Sequence, residues 1–230
     1  MTRGSLIDEV WATGPDWPTE VRVLPDGGAD LIWTGDQLVV AGPDQVARMV
    51  RADPSRPACG VRFLPGAARA MFGWSGEALV DSVVPAAQVL GADESGRLSQ
   101  RLAAAPPDGR PRLLASWAVS DARAAARRDP AVALTADLLA RDPKLRVAEL
   151  ADRAGYSDRQ LRRRVQAEVG YAPKRLARIL RLRRVVALAR RDPSLSLADA
   201  AFAGGFVDQA HLSHECSELG GAPAAVVLGR

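Results

Sequence analysis

Histidine is nearly missing from this chain: two occur in 230 residues, His211 and His214, and residues 1–120 hold none. Imidazole is the commonest ligand of transition metals, so the first half lacks the donor set for such a site. It also lacks the usual general base. Cysteine is equally scarce. Cys59 and Cys216 stand far apart, without ligand spacing, and read as free thiols of a reducing compartment. Cys59 has no histidine in its own half to activate it as a nucleophile. No metal and no cofactor are expected. No apolar run approaches the ~18 residues of a membrane span. The early Asp8-Glu9, with no apolar block around it, argues against a signal peptide. A soluble, cytoplasmic protein without membrane contact is the expectation. Lysine too is rare, at two residues, so arginine carries the positive charge.

That charge is unevenly spread. Residues 1–120 hold 11 Arg against 14 Asp and Glu, while residues 121–230 hold 20 Lys and Arg against 13 acids. Within 141–191 the count is 16 basic to 5 acidic. A segment this positive attracts polyanions, and nucleic acid is the commonest in the cytosol. A solvated basic face is the plain alternative.

The length fits two domains of the usual ~100–150 residues. In the first half, Val21-Arg22-Val23-Leu24, the turn Pro25-Asp26-Gly27-Gly28 and Asp30-Leu31-Ile32-Trp33 read as strand, turn, strand. Leu38-Val39-Val40 and Gly60-Val61-Arg62-Phe63 read as further strands, and short helices are expected at 66–72, 75–80 and 97–104. Asp26 and Asp30 beside the glycine pair fit a turn better than an acid/base pair, so an enzyme is disfavoured. Trp33 reads as core, whereas Trp11 and Trp17 fit either core or an apolar pocket. The fold class is α+β: a sensor-like domain at 1–115, a helical linker at 116–128, and an all-α domain at 129–230.

The second half contains a repeat. Arg141-Asp142-Pro143…Glu149-Leu150 matches Arg191-Asp192-Pro193…Asp199-Ala200 fifty residues on, and Ala151, Gly155, Tyr156 and Asp158 match Ala201, Gly205, Phe206 and Asp208. Leu161 pairs with Leu212, so the second copy gains one residue just after its turn. Duplication at a fixed period signals a repeated structural unit. Each copy reads helix, turn, helix. In the first, Gly155 ends a helix where positive φ costs glycine little. Ser157 then caps the next helix, with Gln160 completing a capping box. That helix buries Leu161, Val165 and Val169 and turns Arg159, Arg162, Arg163 and Gln166 outward, as a helix entering a DNA major groove does. Between the copies a helix over about 173–191 opens on Pro173. Its apolar arc of Leu176, Ile179, Leu180, Leu182, Val186 and Ala189 suits packing against both units, while Lys174, Arg178 and Arg181 line another face.

These motifs in order resemble the DNA-binding domain of the AraC/XylS family. The first signature stands as Val147-Ala148-Glu149-Leu150-Ala151, Gly155-Tyr156-Ser157, Leu161-Arg162-Arg163 and Gly170-Tyr171-Ala172-Pro173, with Arg181 at the family's mid-helix arginine. The second stands as Ala198-Asp199-Ala200-Ala201 and Gly205-Phe206-Val207-Asp208-Gln209-Ala210-His211-Leu212. Departures gather at the end. His214 stands for a usual Arg, Cys216 for Phe and Ser217 for a basic residue, and the closing Gly220-Gly221-Ala222-Pro223 is one residue short. In the first half, Val23-Leu24-Pro25-Asp26-Gly27 and Gly60-Val61-Arg62-Phe63-Leu64-Pro65-Gly66 resemble a cupin-like sensor domain of one AraC-type subgroup. The methyl-accepting repair cysteine sometimes fused to this DNA-binding type needs Pro-Cys-His-Arg, which is absent.

The resemblance implies a transcription regulator that binds double-stranded DNA through Ser157, Arg159, Arg162, Arg163, Gln166, Lys174, Gln209, His211, Ser213 and His214. Arginine reads guanine bidentately and glutamine reads adenine. Arg164 sits on another side of the wheel and reads as a salt-bridge or surface residue. His211 and His214 at i, i+3 share a helix face, but the chain supplies no further histidine, so no metal is assigned there. RNA polymerase and a small-molecule effector are candidate partners, as a monomer or homodimer. The competing reading is a constitutive DNA-binding protein whose first half serves only to dimerise.

Overall fold

Strict alternation of side chains decides the first half. A computed structural model describes residues 6–120 and 127–229. Its main sheet has the antiparallel order β1-β6-β3-β4-β7, from Ile7–Ala12, Cys59–Phe63, Ala29–Trp33, Leu38–Ala41 and Val83–Pro85. A separate ribbon pairs β2 (Glu20–Val23) with β5 (Arg48–Arg51). In β3, Leu31 and Trp33 point to one face, and Cys59, Val61 and Phe63 of β6 join them there, all buried. That face is covered by α1 (Ala68–Phe72), α4 (Ala92–Ala104) and α5 (Arg110–Ala118), which contribute Phe72, Leu98, Leu102, Leu114 and Trp117 to one core. Short helices α2 (Gly76–Leu79) and α3 (Ala86–Leu90) complete this half.

The α+β reading and the four expected strands stand, each within a residue or two. Strands β1, β5 and β7 and helix α3 were not expected, and the helix expected at 97–104 begins at Ala92. Asp30 lies within β3, as the strand reading has it, and so does not belong with Asp26 in the turn, because the chain is already extended at Ala29. The expected linker at 116–128 is only partly helical in what can be described: α5 ends at Ala118, and residues 121–126 lie outside the described residues. Trp117 and Ala118 are buried in the first core, so α5 belongs to that half.

The second half runs α6 (Pro130–Arg141), α7 (Val147–Ala154), α8 (Asp158–Val169), α9 (Pro173–Arg191), α10 (Leu197–Gly204), α11 (Gln209–Gly220) and α12 (Ala224–Val227). Asp129 caps α6 by accepting from the amides of Ala131 and Val132. Helix α9 has the bounds that the pattern gives it, and all six residues of the expected arc are buried. It packs on α6, α8, α10 and α11.

The two halves are in direct contact. Ala47 donates its amide to the Leu219 carbonyl at 2.6 Å, and Arg175 donates to the Gln45 carbonyl at 2.8 Å. Arg22 donates to the carbonyl of Gly220 at 2.9 Å, and Arg69 pairs with Glu168 at 2.7 Å. Helices α1 and α2 both touch α8. Gly76 permits that approach: a β-carbon there would fall 2.3 Å from the Glu168 carbonyl oxygen.

Gly76→Ala should therefore destabilise the chain by about 1–3 kcal/mol, the usual cost of overpacking. Gly96→Ala, in α4 with nothing within 4 Å of the added carbon, should be neutral or stabilising by ~0.5–1 kcal/mol. Urea unfolding of both variants checks the contrast, and equal midpoints would contradict the close packing at Gly76.

Candidate nucleic-acid interface and cavity

The duplicated units fold alike for local reasons that the repeat preserves. Asp142 and Asp192 each accept from the amide two residues on, at 3.0 Å, forming the same turn before each unit. Gly155 and Gly205 end the first helices at φ 73° and 84°. The second helices start on different caps. In the first unit Ser157 and Gln160 form the expected capping box, with the Ser157 amide donating to Gln160 Oε1 at 3.0 Å. In the second, Asp208 accepts from the His211 amide at 2.7 Å. The interval from glycine to cap is two residues in one copy and three in the other, so the extra residue lies in the turn itself and not just after it, as the sequence pairing had placed it.

Helix α8 buries Leu161, Val165 and Val169 and leaves Arg159, Arg162, Arg163 and Gln166 exposed. Ser157 is exposed at its start. Arg164 is held as expected: it is ion-paired with Asp129 and lies over the Tyr156 ring, 4.6 Å from its centre. In α11, Gln209 and His214 are exposed while His211 and Ser213 are half-buried. His211 packs edge-on against Phe206, with ring centres 5.3 Å apart, so its ring is tied to its own turn. Cys216 is fully buried where the resemblance led us to expect a larger aromatic.

The outward residues divide into two sets. A groove of about 840 Å3 between the units brings together Arg162, Lys174, His211 and His214. Its walls carry six cationic side chains, Lys144, Arg146, Arg162, Lys174, Arg178 and Arg181, against the three acids Asp158, Glu215 and Glu218. Arg159, Arg163 and Gln166 lie instead around a second depression on α8, which Glu77 of α2 also borders. Gln209 and Ser213 line neither. Two of the groove arginines are struts. Arg178 is bound by Glu215 at 2.9 Å and by Glu218. Arg181 donates to the Pro143 carbonyl at 3.1 Å and lies 5.5 Å from the centre of the Phe206 ring. The sequence had set His211 beside His214 as the pair to weigh for a metal. The fold instead gathers His214 with Glu215 and Glu218, whose carboxylates already hold Arg178.

The first half holds a cavity of about 430 Å3 between the main sheet and the β2–β5 ribbon. Trp11 and Trp17 both line it, while Trp33 is core. Asp26 ties its loop by accepting from the Gly28 amide at 2.8 Å and pairs with Arg62 Nε at 2.7 Å. Asp30 lies directly across the strand pair from Arg62, 3.2 Å away, and accepts from Trp11 Nε1 at 3.1 Å. Burial raises the Asp30 carboxyl from the ordinary 3.8 to about 6, against the opposing pull of Arg62.

Residues 150–228 match a family model described as a helix-turn-helix domain, and residues 4–85 match a domain of unknown function, DUF6597. Among solved structures the chain is similar to ToxT from Vibrio cholerae, at 10% identity over 96% of this chain and 97% of that one, with a TM-score of 0.53. ToxT of strain O395 bound to (E)-4-(8-methylnaphthalen-1-yl)but-3-enoic acid gives the same identity, coverage and score. At that identity the likeness is one of fold. No curated protein matches the chain. Residues 150–228 are a helix-turn-helix domain, behind a mixed-strand N-terminal domain, and the chain as a whole has a ToxT-like fold. No helix among the described residues is long and apolar enough to cross a membrane.

An acid whose folded pKa is raised binds more protons in the folded than in the unfolded chain between the two values. The Asp30 contribution to stability should therefore fall as pH rises from about 4 through about 6, by up to about 3 kcal/mol at ~1.4 kcal/mol per unit. Asp30→Asn should flatten the slope, as measured by urea unfolding at pH 4.5 and 7.5. A slope unchanged by the substitution would refute the assignment.

Proposed function

We propose that this protein is a sequence-specific, DNA-binding transcription regulator whose N-terminal domain responds to a small molecule. One observation carries the DNA-binding half of this reading. Two helix-turn-helix units are fixed on one buried helix, with a cationic groove between them and Arg159, Arg162, Arg163 and Gln166 exposed on α8. Rigid spacing is what two helices need to enter successive stretches of major groove. The reading gives the chain no catalytic step and sets it in the cytoplasm, with RNA polymerase as a candidate partner.

The sensor half rests on the cavity and on the contacts that join the two halves. ToxT, whose fold this chain shares, has been solved with a small carboxylic acid bound. The loop of Asp44 to Arg48, part of the cavity wall, includes Gln45 and Ala47, which hydrogen-bond to α9 and α11. A change at the cavity thus has a short route to the DNA-binding domain. These contacts favour a sensor over a first half that serves only to dimerise.

The units should contribute unequally. Arg162 and Arg163 each present a planar guanidinium fork that can read guanine bidentately, whereas His214 offers no such fork. With a duplex selected from a random pool, Arg162→Ala or Arg163→Ala should weaken binding by ~1–3 kcal/mol and relax specificity at one base pair. His214→Ala should cost much less at neutral pH. Affinity of the unsubstituted chain should fall steeply with salt, with a log–log slope near −0.9 for each phosphate neutralised. Fluorescence anisotropy across a salt series reads both. No selectable duplex, or a flat salt dependence, would overturn the function, and equal losses for His214→Ala and Arg163→Ala would overturn the inequality.

A further inference from the structure

We propose that the N-terminal cavity takes a small amphipathic cation, a protonated amine on an aromatic or branched apolar body. The inference deepens the sensor reading above and rests on it for the biological consequence. The binding chemistry follows from the cavity alone.

The cavity floor is built of cross-strand rows. Register sets Trp11 opposite Gly60, Gly60 opposite Ile32 and Ile32 opposite Val39. That row is apolar, and its middle is hollow. A β-carbon at Gly60 would lie 2.5 Å from the Trp11 ring, so only glycine lets the indole lie down across the sheet. The next row of the same face reads Glu9, Arg62, Asp30, Ala41. An apolar trough therefore runs beside a charged rail. A ligand filling both needs an apolar body with a charged or strongly polar head on one side.

The rail sets the sign of that head. Five aspartates, Asp26, Asp30, Asp36, Asp44 and Asp53, line the cavity against four arginines, Arg48, Arg51, Arg56 and Arg62. Each arginine already has a carboxylate. Arg62 meets Asp26, Asp30 and Glu9, Arg48 meets Asp44, Arg56 meets Asp36 and Asp53, and Arg51 meets Glu20. An anionic head would have to share an arginine already held by a carboxylate and would face the surplus acid. A cationic head meets the surplus directly, most of all where the single Arg62 is set against Asp26, Asp30 and Glu9. The Asp26 and Asp30 side chains are only 13% and 11% exposed, so their charge is poorly screened by water. Asp30 carries a desolvation penalty that an added cation would relieve. Trp11 and Trp17 add indole faces, the best cation–π acceptors among side chains.

Occupancy would act on the loops that hold the second half. The loop carrying Asp26 includes Gly27, where an added β-carbon would fall 2.9 Å from Leu176 of α9. The loop carrying Asp44 holds α9 and α11 through Gln45 and Ala47.

The test is isothermal titration of the full chain at neutral pH with three probes of one shape: 2-(naphthalen-1-yl)ethylamine, 2-(naphthalen-1-yl)ethanol and naphthalen-1-ylacetic acid. The amine should bind at least about tenfold more tightly than the alcohol, a difference of ~1.4 kcal/mol, and the acid most weakly. Asp30→Asn should erase the preference for amine over alcohol while leaving alcohol binding in place. Val39→Trp, which fills the trough without touching the rail, should exclude all three. Thermal unfolding of each variant verifies that it is folded. Acid binding as tight as amine, an amine preference that survives Asp30→Asn, or failure of all three probes would overturn the proposal. Duplex binding on the same samples separates the two readings. Lost amine preference with intact duplex binding refutes the ligand class alone, and amine preference in a chain that binds no duplex refutes the regulator alone.

Discussion

The second half depends on the burial of α9. Nine of its residues from Pro173 to Ala189 are buried, and they spread around most of its circumference. A helix apolar over so wide an arc has no solvent face to settle on and must be enclosed by neighbours. Those neighbours are α6, α8, α10 and α11, so one helix fixes both units at once. The polar remainder works in the same direction. Arg178 reaches Glu215 of α11, and Arg181 spans from Pro143 before the first unit to Phe206 in the turn of the second. Arginine suits such struts because its planar fork makes several directed bonds and stacks on aromatic faces. With the units pinned from inside, their outward side chains can be spent on a partner.

Both faces of the main N-terminal sheet are committed, though differently. One is closed by α1, α4 and α5 into an ordinary apolar core, the other left partly open under the β2–β5 ribbon. Because successive side chains alternate, β3 supplies Leu31 and Trp33 to the first and Asp30 and Ile32 to the second. The cavity and the core thus share a backbone, and the loops leaving that backbone rest on α9 and α11. Interface arginines of opposite provenance, Arg22 and Arg175, each reach a carbonyl on the other side of the junction. Tyr171, between the units' first pair of helices and α9, is buried with its hydroxyl unpaired among the described residues, and burial pushes its pKa up.

Legibility tracked how local the determinants are. The end of α7, the start of α8 and both bounds of α9 were readable to within a residue because a glycine stop, a capping box and a proline start lie in the sequence beside them. Strands β1, β5 and β7 were not. Ile7–Ala12 begins with two acids among its first three residues, Arg48–Arg51 has arginine at both ends, and Val83–Pro85 is three residues long and closes on proline. Each is stabilised by a partner strand far along the chain, so its local pattern is weak. Helix α4 was read short because Ser95 and Gly96 interrupt its apolar face, although Asp93 and Glu94 favour a helix start there. Among the expected DNA contacts, residue type and outward direction were legible on α8. The separation of Arg162 from Arg159, Arg163 and Gln166 was not, and neither was Glu77 beside the latter three.

The sequence by itself determined the duplication, the two helix-turn-helix units, the long helix between them and the excess of arginine around them. Each of these follows from periodicity, capping and charge within a few turns of chain. Tertiary structure alone decided that Asp30 is buried facing Arg62, that Trp11 lies across Gly60, and that the first half grips α8, α9 and α11. Those facts arise from the register of strands thirty or more residues apart and from backbone approaches at Gly27 and Gly76. No local pattern encodes such pairings, because their free energy exists only once distant segments have met.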